Sequence, residues 1–461
     1  MALTLTFHGG AETVTGSNFL VEGEKGKILV DCGIEQGQDY CQECMYDPFP
    51  YDVFSIDALI ITHSHLDHIG RAPKLIREGF KGSVYCTPPT RDLMVLILLD
   101  SARILFQEAR RRQSEPLYNE NDVEALMSRV KTVEYGEEWE AAPGLSCVLR
   151  QTGHILGSAS VRIKAEDDTT LAITGDIGNA PSPFLPDPEP IPDADVLVME
   201  SVYGDRVNPQ EGRVDEMRKA LKAAIARGGT ILIPAFSIER TQLMLYEISN
   251  FMEAGEIPKI PVFLDSPLAI KVTNVYAKWG EKYFKDAVED ELHREHDIFR
   301  FPFLTQTPSR SESEEIENTR GPKIIIAGAG MSHGGRIARW EEKYLPNPNT
   351  TLMIVGYQAP GSPGRMLQDG AHSIRVNGRT VPVRAKVGTF TGWSAHADRN
   401  GLLAFAEKTL PRAKTIFAAL GEPASARFLA QRIHDFLGVK AIVPTAEQRW
   451  EITKGGAKEI R

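Results

Sequence analysis

The chain has 461 residues, 42% apolar and 25% charged, values typical of a globular enzyme able to bury its own core. At roughly 150 residues per domain, this length implies about two or three domains. Its 52 basic and 62 acidic side chains give a formal charge of −10, which excludes a histone-like coat for nucleic acid but not a local basic cleft. Five cysteines are too few for a disulfide scaffold. The C-x-x-C pair Cys41 and Cys44 has no second pair to complete a zinc ribbon, so reduced thiols are expected. The start, MALTLTFHGG, has neither a basic n-region nor a long apolar stretch. The longest apolar run, Leu93 to Leu99, is far below the ~18 residues of a membrane span. A cytoplasmic protein with no membrane partner is expected.

Taken in chain order, the first 200 residues alternate short β-type runs with turn signals. Strands are predicted at Leu3–Phe7, Asn18–Glu22, Lys27–Asp31, Ala58–Thr62, Ser83–Cys86, Ser146–Gln151, Ser160–Lys164, Leu171–Thr174 and Val196–Glu200. Helices are predicted at Ala72–Glu78, Pro89–Arg112 and Asn121–Arg129. Many strands with few helices between them imply a sandwich flanked by helices. From about residue 207 the pattern becomes βαβ, the sign of a parallel sheet covered on both faces. Its predicted helices are Glu211–Arg227, Glu239–Ala254, a long stretch from Leu268 and Gly334–Lys343. Its predicted strands are Gly229–Pro234, Val262–Leu264, Lys323–Ala327 and Thr351–Val355. Ser309–Gly321 is polar and reads as a surface loop or an exposed helix. After about 385 the chain returns to short strands and one amphipathic helix, Ala424–Phe436. The simplest organisation is a sandwich domain, 1–206 and 386–461, interrupted by an inserted α/β domain, 207–385.

The strongest chemical signal is Thr62-His63-Ser64-His65-Leu66-Asp67-His68, directly after an apolar strand. Imidazole and carboxylate are natural ligands for zinc-like ions. A loop at a strand end can aim alternate side chains at one point, so His63 and His65 would meet at one metal while Asp67 and His68 turn to a neighbour. His154, set between Gly153 and Gly157, and Asp176, after Thr174-Gly175, each end a strand. Either alone is a weak signal, since a single histidine at a strand end is more often a surface residue. In company with the histidine run both become candidate ligands.

These motifs, with Val30-Asp31-Cys32-Gly33 upstream, resemble the metallo-β-lactamase fold. Met199-Glu200-Ser201-Val202-Tyr203-Gly204-Asp205-Arg206 is similar to the glutamate motif that opens a β-CASP insertion. Further landmarks of that insertion match Ile233–Phe236 with Arg240-Thr241-Gln242, Leu264–Ala269, and Gly330-Met331 with Gly334-Gly335-Arg336. Gly356–Gly361 matches another, and Ser394-Ala395-His396-Ala397-Asp398 matches the later histidine motif. The chain therefore resembles the β-CASP RNA-processing nucleases almost throughout. The resemblance implies an α/β (α+β sandwich) architecture: an αββα metallo-β-lactamase fold with an inserted parallel α/β β-CASP domain. It implies a zinc-dependent ribonuclease acting on single-stranded RNA in a cleft between the domains, with a homodimer also seen in relatives. His63, His65 and His154 would hold one zinc, Asp67 and His68 a second, with Asp176 bridging and Asp31 orienting ligands. Asp67 would also orient the attacking hydroxide. Glu200 would hydrogen-bond His396, which would protonate the leaving 3′-oxygen or stabilise charge on the phosphate. The turn Ser332-His333-Gly334 opens a helix whose N–H groups would meet phosphate, and Arg240, Arg336 and Arg365 are candidate backbone contacts. Each arginine reads equally well as a solvated surface residue.

One position departs from the family. The second zinc usually takes a further histidine from a strand ending His-Gly-Glu, and here that stretch is Ala419-Leu420-Gly421-Glu422. Leucine cannot coordinate metal, so a weakened second site or a single-zinc enzyme is expected. The competing readings are a catalytically impaired RNA-binding scaffold and a metallo-hydrolase of another phosphodiester or a small molecule. A lid the size of the insertion suits a polymer better than a small substrate.

Overall fold

The computed structural model describes residues 3–35, 43–208, 211–288, 291, 297–359, 361–410 and 412–460. The chain divides into two compact units, Met1–Val207 with His396–Arg461, and Asn208–Ala395. The return point differs from the expected 386. Strand Lys386–Thr389 pairs in parallel with Thr351–Ile354, register Thr351↔Lys386, and so belongs to the second unit's sheet.

The first unit is a sandwich of an eight-stranded and a seven-stranded sheet. The period-two side-chain alternation of strands builds it. In strand Val196–Glu200, Val196 and Val198 enter the core between the sheets, with Leu5, Phe7, Phe19, Leu149 and Phe417. Leu197 and Met199 face the other way, onto Leu402, Phe405 and Leu429 of helices Arg399–Thr409 and Pro423–Leu437. Both faces are thus apolar, as expected for an inner strand covered by helices. Strand order in the seven-stranded sheet places Val196–Glu200 between Thr170–Ile173 and Thr415–Ala419, both parallel to it. The ends of these strands deliver the candidate site residues.

The second unit centres on a six-stranded sheet with parallel pairing throughout. Strands Thr230–Pro234 and Lys323–Ala327 are fully buried at its middle. Its polar anchor is Asp265, 0% exposed at the end of strand Val262–Asp265. Oδ1 accepts from Thr307 Oγ1 at 2.8 Å and Arg336 Nη1 at 2.5 Å, while Oδ2 accepts from Ser313 Oγ at 2.8 Å and Trp340 Nε1 at 2.7 Å. A buried carboxylate saturated in this way ties four segments together. The polar stretch after Ser309 forms the short helix Arg310–Glu315, opened by a Ser309–Glu312 capping box. Helix Arg399–Thr409 was not expected from the sequence.

Cys32, Cys86 and Cys147 are buried free thiols, and burial pushes Cys32 and Cys86 up to about 12. Cys44 is disulfide-bonded, which corrects the expectation of a reduced thiol there; Cys41 lies outside the described residues. No helix among the described residues is long and apolar enough to cross a membrane.

Glu239 of the second unit is buried and accepts from Tyr276 Oη at 2.7 Å. Burial raises its carboxyl from 4.5 to about 8. Between those two values the folded chain binds the proton and the unfolded chain does not, so this group's contribution to stability falls as pH rises. Glu239→Gln keeps an acceptor for Tyr276 and removes the titration. Its melting temperature should exceed that of the wild type at pH 9 and approach it at pH 5, as measured by thermal unfolding. Equal differences at both values would contradict the assignment.

Candidate metal centre

The site is built at the ends of neighbouring strands of the first unit. Strand Lys27–Val30 ends at Asp31, which is fully buried and adopts φ 59°. Left-handed backbone is tolerated best by Gly, Asn and Asp. It turns the carboxylate across the sheet end toward the loop after strand Ala58–Ile60. Asp31 Oδ1 accepts from Thr62 N at 2.8 Å. Its Oδ2 accepts from Thr62 Oγ1 and Ser17 Oγ, each at 2.9 Å, and lies 2.6 Å from His68 Nδ1. Ser17 is a support that the sequence reading missed; only its place beside Gly16, just before a strand, hinted at it. Glycine at 33 is required by the same packing, because a Cβ there would lie 1.6 Å from the Asp67 carbonyl oxygen.

Four donor atoms converge above this base. His63 Nε2 lies 3.1 Å from His65 Nδ1, and His154 Nε2 lies 3.3 Å from the same atom. Asp176 Oδ2 is 3.4 Å from His63 Nε2 and 3.3 Å from His154 Nε2. A tetrahedron with bonds of about 2.0–2.1 Å to its centre has edges of about 3.3–3.4 Å, the dimensions of a zinc site. Burial holds His65 and His154 well below the ordinary imidazole range, so both present lone pairs. Lone pairs facing one another at this spacing are unfavourable unless a cation lies between them. The donor set fits a divalent metal.

Asp176 also reaches the other way, with Oδ1 3.4 Å from His68 Nε2. That ring nitrogen is buried and has no hydrogen-bond partner among the described residues, while Asp31 occupies the opposite nitrogen. A ring fixed on one side by a carboxylate presents the other nitrogen as a ligand. Burial disfavours a charged His68, but the Asp176 and Asp31 carboxylates raise it well above its ordinary value. A metal ion at Nε2 would take the place of that proton. Asp67 Oδ2 stands 3.9 Å from His68 Nε2. Among the described residues, two groups close to within 4.8 Å, namely His63, His65, His154 and Asp176, and Asp176, Glu200 and His396. Asp67 and His68 complete no such group.

Leu420 follows strand Thr415–Ala419 with φ 47° and is buried in the core between the sheets. Its backbone N–H donates to Gly10 O at 2.7 Å, and its Cδ2 packs so closely on Gly10 that a Cβ there would sit 2.6 Å away. Its side chain is thus a packing element.

Glu200 ends strand Val196–Glu200 and is 0% exposed. It accepts from the Ile177 N–H, and His396 Nδ1 lies 3.2 Å from its Oε2. Burial works against a charged His396, but Glu200 and Asp176 together raise it to about 9. His154 gains a second unforeseen support: Ser158 Oγ accepts from its backbone N–H at 3.1 Å.

The chain matches the metallo-β-lactamase superfamily over residues 12–235, the Beta-Casp domain over 241–367 and a Zn-dependent metallo-hydrolase RNA specificity domain over 380–444. It is 36% identical over 396 residues to Ribonuclease TTHA0252 of Thermus thermophilus, covering 86% of this chain and 88% of that protein. The chain belongs to the β-CASP family of metallo-β-lactamase-fold RNA nucleases. Transcription termination factor FttA of Thermococcus kodakarensis is 32% identical, covering 96% of this β-CASP chain and 70% of the relative. An RNase J-like protein of Methanocaldococcus jannaschii is 30% identical, with coverages of 95% and 97%. A crystal structure of a protein of unknown function from Enterococcus faecalis shares the fold at 12% identity, with a TM-score of 0.56 over 98% of this chain and 100% of that one.

The residues expected to contact substrate lie in the second unit of this β-CASP protein. His333 and Gly334 are exposed on the turn before helix Gly335–Tyr344, while Ser332 is buried beneath it. Arg365 is half-buried and pairs with Asp369. Arg240 is 7% exposed at the start of helix Arg240–Glu253. Arg336 is committed inside its own unit, donating to Asp265 Oδ1, to Thr307 O and, at 2.9 Å, to Pro308 O. That is a structural post, not a guanidinium offered to an RNA backbone.

Asp31→Asn should weaken the first and second donor sets together, because an amide NH2 would face donors already aimed at Oδ2. A roughly 10- to 100-fold loss of metal affinity is expected. Competition with a chromophoric chelator would measure it. Unchanged affinity would remove Asp31 from the site.

Proposed function

We propose that the chain is a zinc-dependent ribonuclease that hydrolyses phosphodiester bonds of single-stranded RNA, with its first metal set intact and its second weakened. The carrying observation is the buried convergence of His63 Nε2, His65 Nδ1, His154 Nε2 and Asp176 Oδ2. Zinc is supported by the donor chemistry and by the matched Zn-dependent domain. RNA is supported by that domain and by relatives named as a ribonuclease and an RNase J-like protein.

When bound, zinc supplies Lewis acidity toward the scissile phosphate and a hydroxide at neutral pH. His63, His65, His154 and Asp176 would hold it, and Asp176 also reaches toward His68. Asp67 accepts a hydrogen bond from the attacking oxygen and orients it. Glu200 engages Nδ1 of His396, so the transferable proton lies on the other ring nitrogen, available to the leaving 3′-oxygen. His333 and Gly334 of the Gly330–Gly335 loop, held from beneath by buried Ser332, and the Arg240 and Arg365 side chains would contact the RNA backbone. Leu420 leaves the second set with Asp67, His68 and Asp176 alone, one protein ligand short.

Metal content and cleavage of a synthetic oligoribonucleotide should be measured for the wild type, Leu420→His and His63→Ala. One tightly held zinc per chain is expected for the wild type. Leu420→His should gain a second zinc and cleave faster, and His63→Ala should lose both metal and activity. Two tightly held zincs in the wild type would overturn the weakened-site reading. Metal-loaded wild type and Leu420→His that both bind RNA without cutting it would indicate a scaffold.

A further inference from the structure

Helix Gly335–Tyr344 buries Ile337, Ala338, Trp340 and Glu341. Three of these are apolar, and the fourth is a carboxyl that is 0% exposed. An apolar residue would fill that position without losing hydration, so a buried acid needs a compensating partner. The partner is Ser332, whose Oγ donates to Glu341 Oε1 at 2.5 Å. Glu341 Oε2 has no hydrogen-bond partner among the described residues.

Ser332 holds φ 57°, a conformation that the Cβ of an L residue disfavours. It lies in the middle of the loop that runs from Gly328 to the start of the helix. The loop's backbone is tied at its flanks, with Gln358 Nε2 donating to Gly330 O at 2.9 Å and Gly364 N to Met331 O at 3.0 Å. Ile337 N closes the turn by donating to Gly328 O at 2.8 Å. Between these ties, Ser332 itself is held twice, by its N–H donating to Ala329 O at 3.1 Å and by its side chain donating to Glu341, and the second bond is the one that anchors the left-handed turn carrying exposed His333 and Gly334 to the helix.

We infer that Glu341 is a positioning residue: it holds Ser332 in the left-handed conformation and thereby sets the shape of the Gly330–Gly335 loop. The consequence for substrate rests on the proposed contact between this loop and RNA. Burial keeps the Glu341 carboxyl up at about 8, so at neutral pH it adds little negative charge beneath a loop meant to meet phosphate.

Four full-length variants test this: Glu341→Leu, Glu341→Gln, Ser332→Ala, and Glu341→Leu combined with Ser332→Gly. Readouts are kcat and KM on a single-stranded oligoribonucleotide, thermal unfolding, and amide hydrogen exchange across residues 331–336. Glu341→Leu should speed exchange in the loop and raise KM about 5- to 30-fold, with kcat nearly unchanged. Ser332→Ala, which leaves the helix intact, should do the same, so a poorly folding Glu341→Leu does not block the test. Glu341→Gln retains an acceptor and should behave as the wild type. Adding Ser332→Gly to Glu341→Leu should restore slow exchange, since glycine adopts the left-handed turn unaided. A lowered melting temperature with unchanged loop exchange and KM would overturn the inference, as would failure of the glycine rescue. Faster exchange with unchanged KM would uphold the positioning role and instead refute RNA contact by this loop.

Discussion

Everything at the metal centre depends on one buried carboxylate making more contacts than its own strand could offer. Asp31 joins Ser17, from the turn before strand Asn18–Glu22, to Thr62 and His68, which open and close the histidine loop. Thr62 immediately precedes the histidine run, so fixing its backbone fixes where His63 and His65 begin. His68 ends that run and is fixed by the same carboxylate. The ligand loop is thereby pinned at both ends by a group that need not touch metal itself. An ionised group without solvent is costly unless it is saturated with donors. Asp31 is stable here because the loop supplies those donors, and the loop is ordered because Asp31 accepts them.

The candidate ligands were legible in the sequence because ligand chemistry needs particular side chains at particular spacings. His63, His65, Asp67 and His68 share one loop, and His154 and Asp176 stand at strand ends beside glycines. Most elements were legible for a similar local reason, since apolar periodicity of two or near 3.6 can be read in a short window. What failed was non-local. Arg336 reads as an exposed helix-start cation until Asp265, from a distant strand, claims it. Ser17 carries no mark of its link to Asp31 beyond its place beside Gly16. Strand Lys386–Thr389 reads as a return to the sandwich, yet its pairing partner lies in the inserted sheet.

Leu420 and Glu341 are opposite exchanges of the same kind. At 420 an apolar side chain stands where the family resemblance implies a ligand histidine, and it is absorbed by the core around Phe19 and Gly10. At 341 an acid stands on an otherwise apolar helix face and is absorbed by a hydroxyl on the adjacent turn. Both residues sit in or beside left-handed backbone, where a single side chain decides whether the turn is comfortable. Substitutions at such points alter a site without disturbing the layers that carry it.

The parallel pairing of Val196–Glu200 with Thr415–Ala419 has a consequence for synthesis. A ribosome delivers the first of these strands long before the second, with the whole inserted unit in between. During that interval an apolar strand, destined for the interior of a sheet, has an open edge with unsatisfied backbone groups. The inserted α/β unit has no such dependence, since its sheet pairs only with strands of its own segment. It can close while its host is still incomplete. The nascent chain therefore passes through a stage in which the sandwich unit still has an open strand edge while the inserted unit can already have paired all the strands of its sheet.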